Sequence, residues 1–278
     1  MQDQFAHCAA LVREIDRDRY LATLFAPAEH RGALFALYAF DVEISRVRDL
    51  AHEPMPGEIR LQWWREVISD QRAGEATANP VAAALLQTLP RYNLPSEQLA
   101  GLVEAHRFDI YDEPMPSLIE LQSYASKTTR VVFETATRIL GTATNMSEEA
   151  GQAQTLAKVL TLLPRHTARR QLYVPLDVLR QHGARPDDIF AMHRTPELRA
   201  ALAELRLRAR RHLAHIGAAS AEIPASAWPA FLSLAPLRSL LLAMERTDYD
   251  PFQPPQAAPW RRQWQIWRAA RNPRRVFG

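Results

Sequence analysis

Two carboxylates on one face of a helix can share a divalent cation, because side chains four residues apart point the same way. Asp41, Ser45 and Asp49 fall at that spacing, which makes the stretch a candidate one-metal site with a serine in its middle position. Arg46 and Arg48 lie among them. A guanidinium binds phosphate bidentately without a metal, so both are candidate phosphate contacts. The competing reading, which we favour, pairs Arg46 with Asp49, Asp41 or Glu43 and simply neutralises a buried acid. His106, Asp109 and Asp112 recur at steps of three and look like a ligand set. Three-residue steps drift around an α-helix, and Asp112 borders a proline-rich exit, so capping and loop hydrogen bonds are expected there ahead of metal binding.

The far end of the chain carries a different chemistry. Trp260, Trp264 and Trp267 recur at near-helical spacing among Arg261, Arg262, Arg268, Arg271, Arg274 and Arg275, with no acidic residue from Trp260 onward. A basic helix with interfacial aromatics can lie in an anionic bilayer surface. The alternative is a helix that packs its tryptophans back on the domain. No nucleic-acid partner is expected, since basic charge comes here without a reader motif. Trp63-Trp64-Arg65-Glu66 is a further candidate surface, although adjacent tryptophans lie about 100° apart on a helix and one of them is expected in the core.

These groups need a helical frame. The 278 residues can bury a sizeable core as one domain, glycine is scarce, and no segments alternate as strands do, which gives an all-α protein. Net charge is +3 with a pI of about 9.2, and Lys127 and Lys158 are the only lysines. The single Cys8 excludes an internal disulfide framework and suits a reducing compartment. The N-terminus does not read as a signal peptide, and no uncharged apolar run reaches the roughly 18 residues of a spanning helix. A cytoplasmic location is expected, with any membrane met from its inner face.

Apolar periodicity places helices near Phe5–Ile15, through Leu34–Leu50, and around Ile59–Ile68 after Pro54 and Pro56. Others run from Val81 with Asn79 as cap, from Ser96 through His106 to Ile110, and from a Ser117 cap to Gly141. Further helices are expected from Ser147 to Pro164, over Pro196–Ile216 and over Trp228–Met244, with polar or irregular connections over 16–27 and 165–175. Residues 1–250 then form one helical domain, and 251–278 a proline-rich connection and basic aromatic tail.

Several of these segments together resemble the squalene/phytoene synthase family. They are residues 18–50, IRLQWWRE at 59–66, FDIYDEPMP at 108–116 and QLYVP at 171–175, with ALYAF at 36–40 the most specific piece. The resemblance implies a terpenoid-synthase-like bundle of antiparallel helices around a deep central cavity. Active members join two prenyl diphosphates head to head, using Mg²⁺ held by two aspartate-rich motifs to neutralise the leaving diphosphate. This chain departs at both motifs. Where the family has DDxxD it reads Ser45-Arg46-Val47-Arg48-Asp49, and where the second motif belongs it has Lys158 and Leu162, followed by Arg165 and His166.

Arg46, Arg48, Lys158 and Arg165 would repel divalent ions rather than gather them. Asp41, Asp49, Asp109 and Asp112 remain as weak metal candidates. A branch of the family with such eroded motifs includes a mitochondrial member that acts in assembly of respiratory complex I. The resemblance therefore implies a non-catalytic accessory or assembly role, with a respiratory-complex subunit or a membrane surface as partner and no cofactor. The alternatives are a working farnesyl or geranylgeranyl transferase that uses Mg²⁺, and a non-catalytic isoprenoid- or lipid-binding protein.

Overall fold

The computed structural model describes residues 2–51, 53–69, 71, 73–255 and 257–272; Arg274 and Arg275 lie outside that set. Every regular element among the described residues is helical. The chain opens with α1 (Gln2–Ile15) and α2 (Arg17–Thr23), where Asp16 caps α2 by accepting from the Arg19 N–H. The expected polar connection over 16–27 is thus partly helix. Its sequence concealed this because α2 buries Asp18 and Arg19 instead of an apolar stripe.

Helix α3 (Ala28–Ser45) is buried at every residue from Ala33 to Val42, as an all-round apolar run requires. It does not continue unbroken to Leu50. Arg46 leaves the helical region (φ −106°, ψ 10°), and a single turn, α4 (Val47–Leu50), follows. That break moves Asp49 off the face it would share with Asp41.

Prolines start α5 (Pro54–Ile68), where a missing N–H costs nothing. Its Trp64 is fully buried and meets Phe40 edge-on with ring centroids 5.1 Å apart, while Trp63 packs half-buried against it. After the short α6 (Ala73–Ala76) comes α7 (Pro80–Arg91), whose Asn79 cap accepts from the Val81 and Ala82 N–H groups. Helix α8 (Ser96–Ala105) does not extend to Ile110 as an α-helix; it tightens into a 3₁₀ turn over His106–Ile110.

Helix α9 (Leu118–Lys127) is capped by Ser117, and a break at Thr128 separates it from α10 (Thr129–Ile139). Helix α11 (Met146–Thr161) crosses α10 closely. A Cβ on Gly151 would stand 2.7 Å from the Arg130 nitrogen, so only glycine permits this approach. The expected irregular connection after Pro164 begins instead as α12 (Leu163–Ala168).

Next come α13 (Leu176–Gln181), α14 (Pro186–Phe190) and the long α15 (Pro196–Ala218). The single helix expected over 228–244 is broken into α16 (Trp228–Phe231), a 3₁₀ turn at Leu232–Leu234 and α17 (Leu237–Ala243). Pro236 has no N–H to donate to the preceding turn, which accounts for the interruption. Residues Ala225–Ala243 are long and apolar enough by composition to cross a membrane, yet 56% of that stretch is buried in the core. The last element is α18 (Pro259–Arg271).

Helix α3 packs against α1 and α7 and also against α10, which α11 joins to α15. The space left between α3, the 3₁₀ turn at His106, α10 and α11 is the central cavity.

Candidate functional site: a cavity walled by paired charges

The deepest charged pair joins α2 to α3. Arg19 donates from Nη1 to Asp41 Oδ2 at 2.5 Å, with both side chains almost wholly buried. The same guanidinium reaches Asp16 at 3.6 Å and lies 5.0 Å over the Tyr38 ring. Burial alone would raise the Asp41 pKa, but Arg19, helped by Lys158, holds it below the usual carboxylate range. Lys158 comes from α11 and lines the cavity. Burial pushes its amine below the ordinary value, against the opposing pull of Asp41.

A second cluster forms where the 3₁₀ turn meets α9 and the irregular segment 172–174. In a 3₁₀ helix residues three apart eclipse, so His106 and Asp109 face each other, with Nδ1 to Oδ2 at 2.5 Å. Tyr173 donates to Asp109 Oδ1 at 2.6 Å and Tyr124 to Oδ2 at 2.9 Å. Burial, then Asp109, pushes both phenols well above their ordinary value. The buried His106 Nε2 has no hydrogen-bond partner among the described residues, and the ring lines the cavity. His166 stacks on Tyr173 with centroids 4.5 Å apart, and burial lowers its pKa to about 4.

The third cluster rims the cavity. Asp49 accepts from Arg46 Nε at 3.3 Å and is also bound by Arg165 and Arg169. Arg48 donates to Asp112 at 3.0 Å, at the solvent side. Burial lowers the pKa of both Arg165 and Arg169, and neighbouring arginines push the same way: Arg169 and Arg46 on the first, Arg48 and Arg46 on the second. Positive charge is therefore crowded around one carboxylate.

These clusters enclose a cavity of about 440 Å³, lined by Asp41, Ser45, Arg46, Lys158, Leu162 and Arg165 among others. The structure thus brings together the positions from both walls that sequence comparison singled out. Arg48, Asp49 and Asp112 lie at its rim rather than in its lining, and Asp109 lies within it. Mg²⁺ requires oxygen ligands in octahedral array, usually carboxylates and substrate phosphates. Here Asp41 is engaged by Arg19, Asp49 by three guanidiniums, and Asp109 by His106 and two phenols. Among the described residues no group of three or more His, Cys, Asp or Glu side chains could hold a metal ion. The walls do not fit a Mg²⁺ cluster.

Residues 12–268 match the squalene/phytoene synthase family. The chain belongs to that family. It is 31% identical over 256 residues to complex I assembly factor 6 of Rattus norvegicus, covering 91% of this chain and 77% of that protein. The Homo sapiens protein of the same name is 30% identical, over 89% of this chain and 76% of its own length. Among solved structures, squalene synthase HpnC of Alicyclobacillus acidocaldarius superposes with a TM-score of 0.78 at 26% identity, over 90% of this chain and 96% of that one. The all-α terpenoid-synthase fold is therefore shared with a solved protein named for synthesis, and the sequence is similar to that of proteins named for assembly.

The tail residues sit elsewhere. Ile266 and Ala269 of α18 are fully buried, and the helix contacts α2 and the 3₁₀ turn at Leu232–Leu234. Arg262 pairs with Asp18, while Gln265 donates to Ser239 at 2.7 Å. Trp260, Trp264 and Trp267 point outward, 65, 51 and 41% exposed. Arg261, Arg268 and Arg271 lie 5.2, 5.3 and 3.9 Å from the Trp260, Trp264 and Trp267 ring centroids. Packing of these tryptophans back on the domain is not what the helix does.

Arg19, Arg169, Tyr124 and Tyr173 were not singled out from sequence. Arg169 carried one usable signal, its spacing of four from Arg165 on a helix. Arg19 carried none, since a buried arginine reads like any other charge until its partner is placed.

Proposed function

We propose that this chain is a non-catalytic accessory factor of its family, acting in the assembly of a respiratory complex at the inner face of the membrane. One observation carries the reading: of the positions where metal-holding carboxylates belong, Ser45 and Leu162 carry no charge, Arg46, Lys158 and Arg165 are basic residues, and the carboxylate that remains, Asp49, is bound by three guanidiniums. Ionising an allylic diphosphate requires the leaving group's charge to be neutralised by metal, and on these walls Asp41, Asp49 and Asp109 are each already engaged by cationic or hydrogen-bonding side chains. The likeness to complex I assembly factor 6 supports the assembly role. The outward tryptophans and arginines of α18 support a membrane-facing position.

Two measurements test this. Purified protein incubated with farnesyl and geranylgeranyl diphosphates, Mg²⁺ and reductant is expected to yield no condensed hydrocarbon by mass spectrometry. A product that disappears in Asp49→Ala would overturn the non-catalytic reading. Cells lacking the gene are expected to lose assembled complex I on native gels and NADH:quinone activity in their membranes, both restored by the wild-type chain. Normal assembly without it would remove the accessory role.

A further inference from the structure

The chain's two lysines stand in opposite surroundings. Lys127 closes α9 with its side chain in solvent. Lys158 stands on α11 where two chambers meet, lining both the central cavity and a neighbouring chamber of about 440 Å³. Its amine forms no hydrogen bond or ion pair with any described residue. Asp41, the carboxylate that acts on it most strongly, is already engaged by Arg19 at 2.5 Å.

An amine so placed is a nucleophile. Burial lowers the Lys158 pKa, and Arg19 pushes the same way against Asp41, Asp16 and Asp109. Desolvation beside another cation frees a lysine's lone pair at neutral pH. With the ordinary value of 10.5, roughly one amine in three thousand is unprotonated at pH 7, and every unit of decrease multiplies that about ten-fold.

The walls around Lys158 select the electrophile. Their acids are largely satisfied from within: Asp16 and Asp41 pair with Arg19, Asp18 with Arg262, and Asp109 with His106. A charged ligand would have to compete with these pairs. The apolar part of the second chamber comes from Leu162, Pro236, Leu237 and Leu240, which an aliphatic chain can cover without disturbing them. Ser233 Oγ lines the same chamber, buried and without a partner among the described residues. A ligand that carries an oxygen would satisfy that hydroxyl.

We propose that Lys158 captures an aliphatic aldehyde of medium chain length as a Schiff base, with the chain lying along Leu162, Pro236, Leu237 and Leu240. The amine nitrogen bonds to the carbonyl carbon while the C=O π pair moves to oxygen. The nitrogen's two protons pass to that oxygen, which leaves as water, and a C=N bond remains. No oxidant or reductant takes part. The capture is stoichiometric and separate from the assembly role, so either can fail without the other.

The test incubates the full chain at pH 7 with decanal and cyanoborohydride, which reduces an imine to a stable secondary amine, and maps the adducts by peptide mass spectrometry. Lys158 is expected to be labelled about ten-fold or more faster than the exposed Lys127. That ratio is expected to fall several-fold when acetaldehyde replaces decanal. Lys158→Arg and Lys158→Met should both lack the cavity adduct while Lys127 is labelled as before, and their melting temperatures separate a lost amine from a lost fold. Lys158 unlabelled in the folded wild-type chain, or labelled no faster than Lys127, overturns the proposal. So does a preference that acetaldehyde matches, because the aliphatic chain would then have no place on the chamber wall.

Discussion

The buried Arg19–Asp41 pair is the residue-scale feature on which the cavity wall most depends. Removing one partner of such a pair strands a charge in low dielectric and costs about 3–5 kcal/mol, whereas replacing both by apolar residues of similar volume is close to neutral. Asp41→Asn is therefore expected to lower unfolding free energy in urea by about that much, and Arg19→Met with Asp41→Leu to recover most of it. Equal losses in the single and double variants would show that the pair's contribution is packing alone. His166 gives the matching pH effect. Its pKa falls from 6.5 in the unfolded chain to about 4 when folded, so the unfolded state takes up the proton first. Stability from this group is complete above pH 6.5 and declines as pH drops toward 4, by on the order of 2–3 kcal/mol. In His166→Gln the urea midpoint should fall less across that window, and an unchanged pH profile would place the acid sensitivity elsewhere.

At the scale of elements, α18 presents a fixed array, because Ile266, Ala269 and the Arg262–Asp18 pair hold the helix while the tryptophans face out. Deleting the helix would uncover the surface beneath it and strand Asp18, so loss of membrane binding in a truncation would not be specific. Trp260→Ala, Trp264→Ala and Trp267→Ala combined leave those anchors in place. Flotation with vesicles rich in phosphatidylserine is expected to fall at least several-fold in the triple variant, with melting temperature nearly unchanged, and Arg261→Gln alone should cost about five-fold. Wild-type binding that is indifferent to salt and to lipid charge would instead favour a protein partner for this face. The same element shows what periodicity could and could not reveal. Tryptophan spacing gave a helix and one face, but which face docks depended on α2, a helix whose buried side is charged and thus invisible to any search for apolar stripes. The breaks at Arg46 and Thr128 were likewise hidden, since no glycine or proline marks them, whereas the Asn79 and Ser117 caps were readable because their side-chain chemistry is local.

For the molecule as a whole, the helical frame and the cavity were legible because ALYAF and the apolar runs specify packing, and packing does not require the chemistry it once enclosed. The charge pairing that fills the cavity was only partly legible: the substitutions at 45, 46, 158 and 162 stood in the sequence, but Asp49's capture by Arg165 and Arg169 joins residues more than a hundred positions apart. This separation of frame from charge can be tested by reversing the charge alone. Ser45→Asp, Arg46→Asp, Lys158→Asn and Leu162→Asp together would place carboxylates on both walls, at the C-terminal ends of α3 and α11, without requiring the backbone to move. Facing carboxylates about 4 Å apart repel by roughly 4 kcal/mol at an effective dielectric near 20, and at about 2–4 °C per kcal/mol the variant should melt well below the parent in EDTA. Added Mg²⁺ should return much of that loss while leaving the parent's melting temperature where it was. A variant that melts alike with EDTA and Mg²⁺ would mean that the two walls no longer stand at a distance a shared metal could bridge, and that the frame has drifted along with the charges.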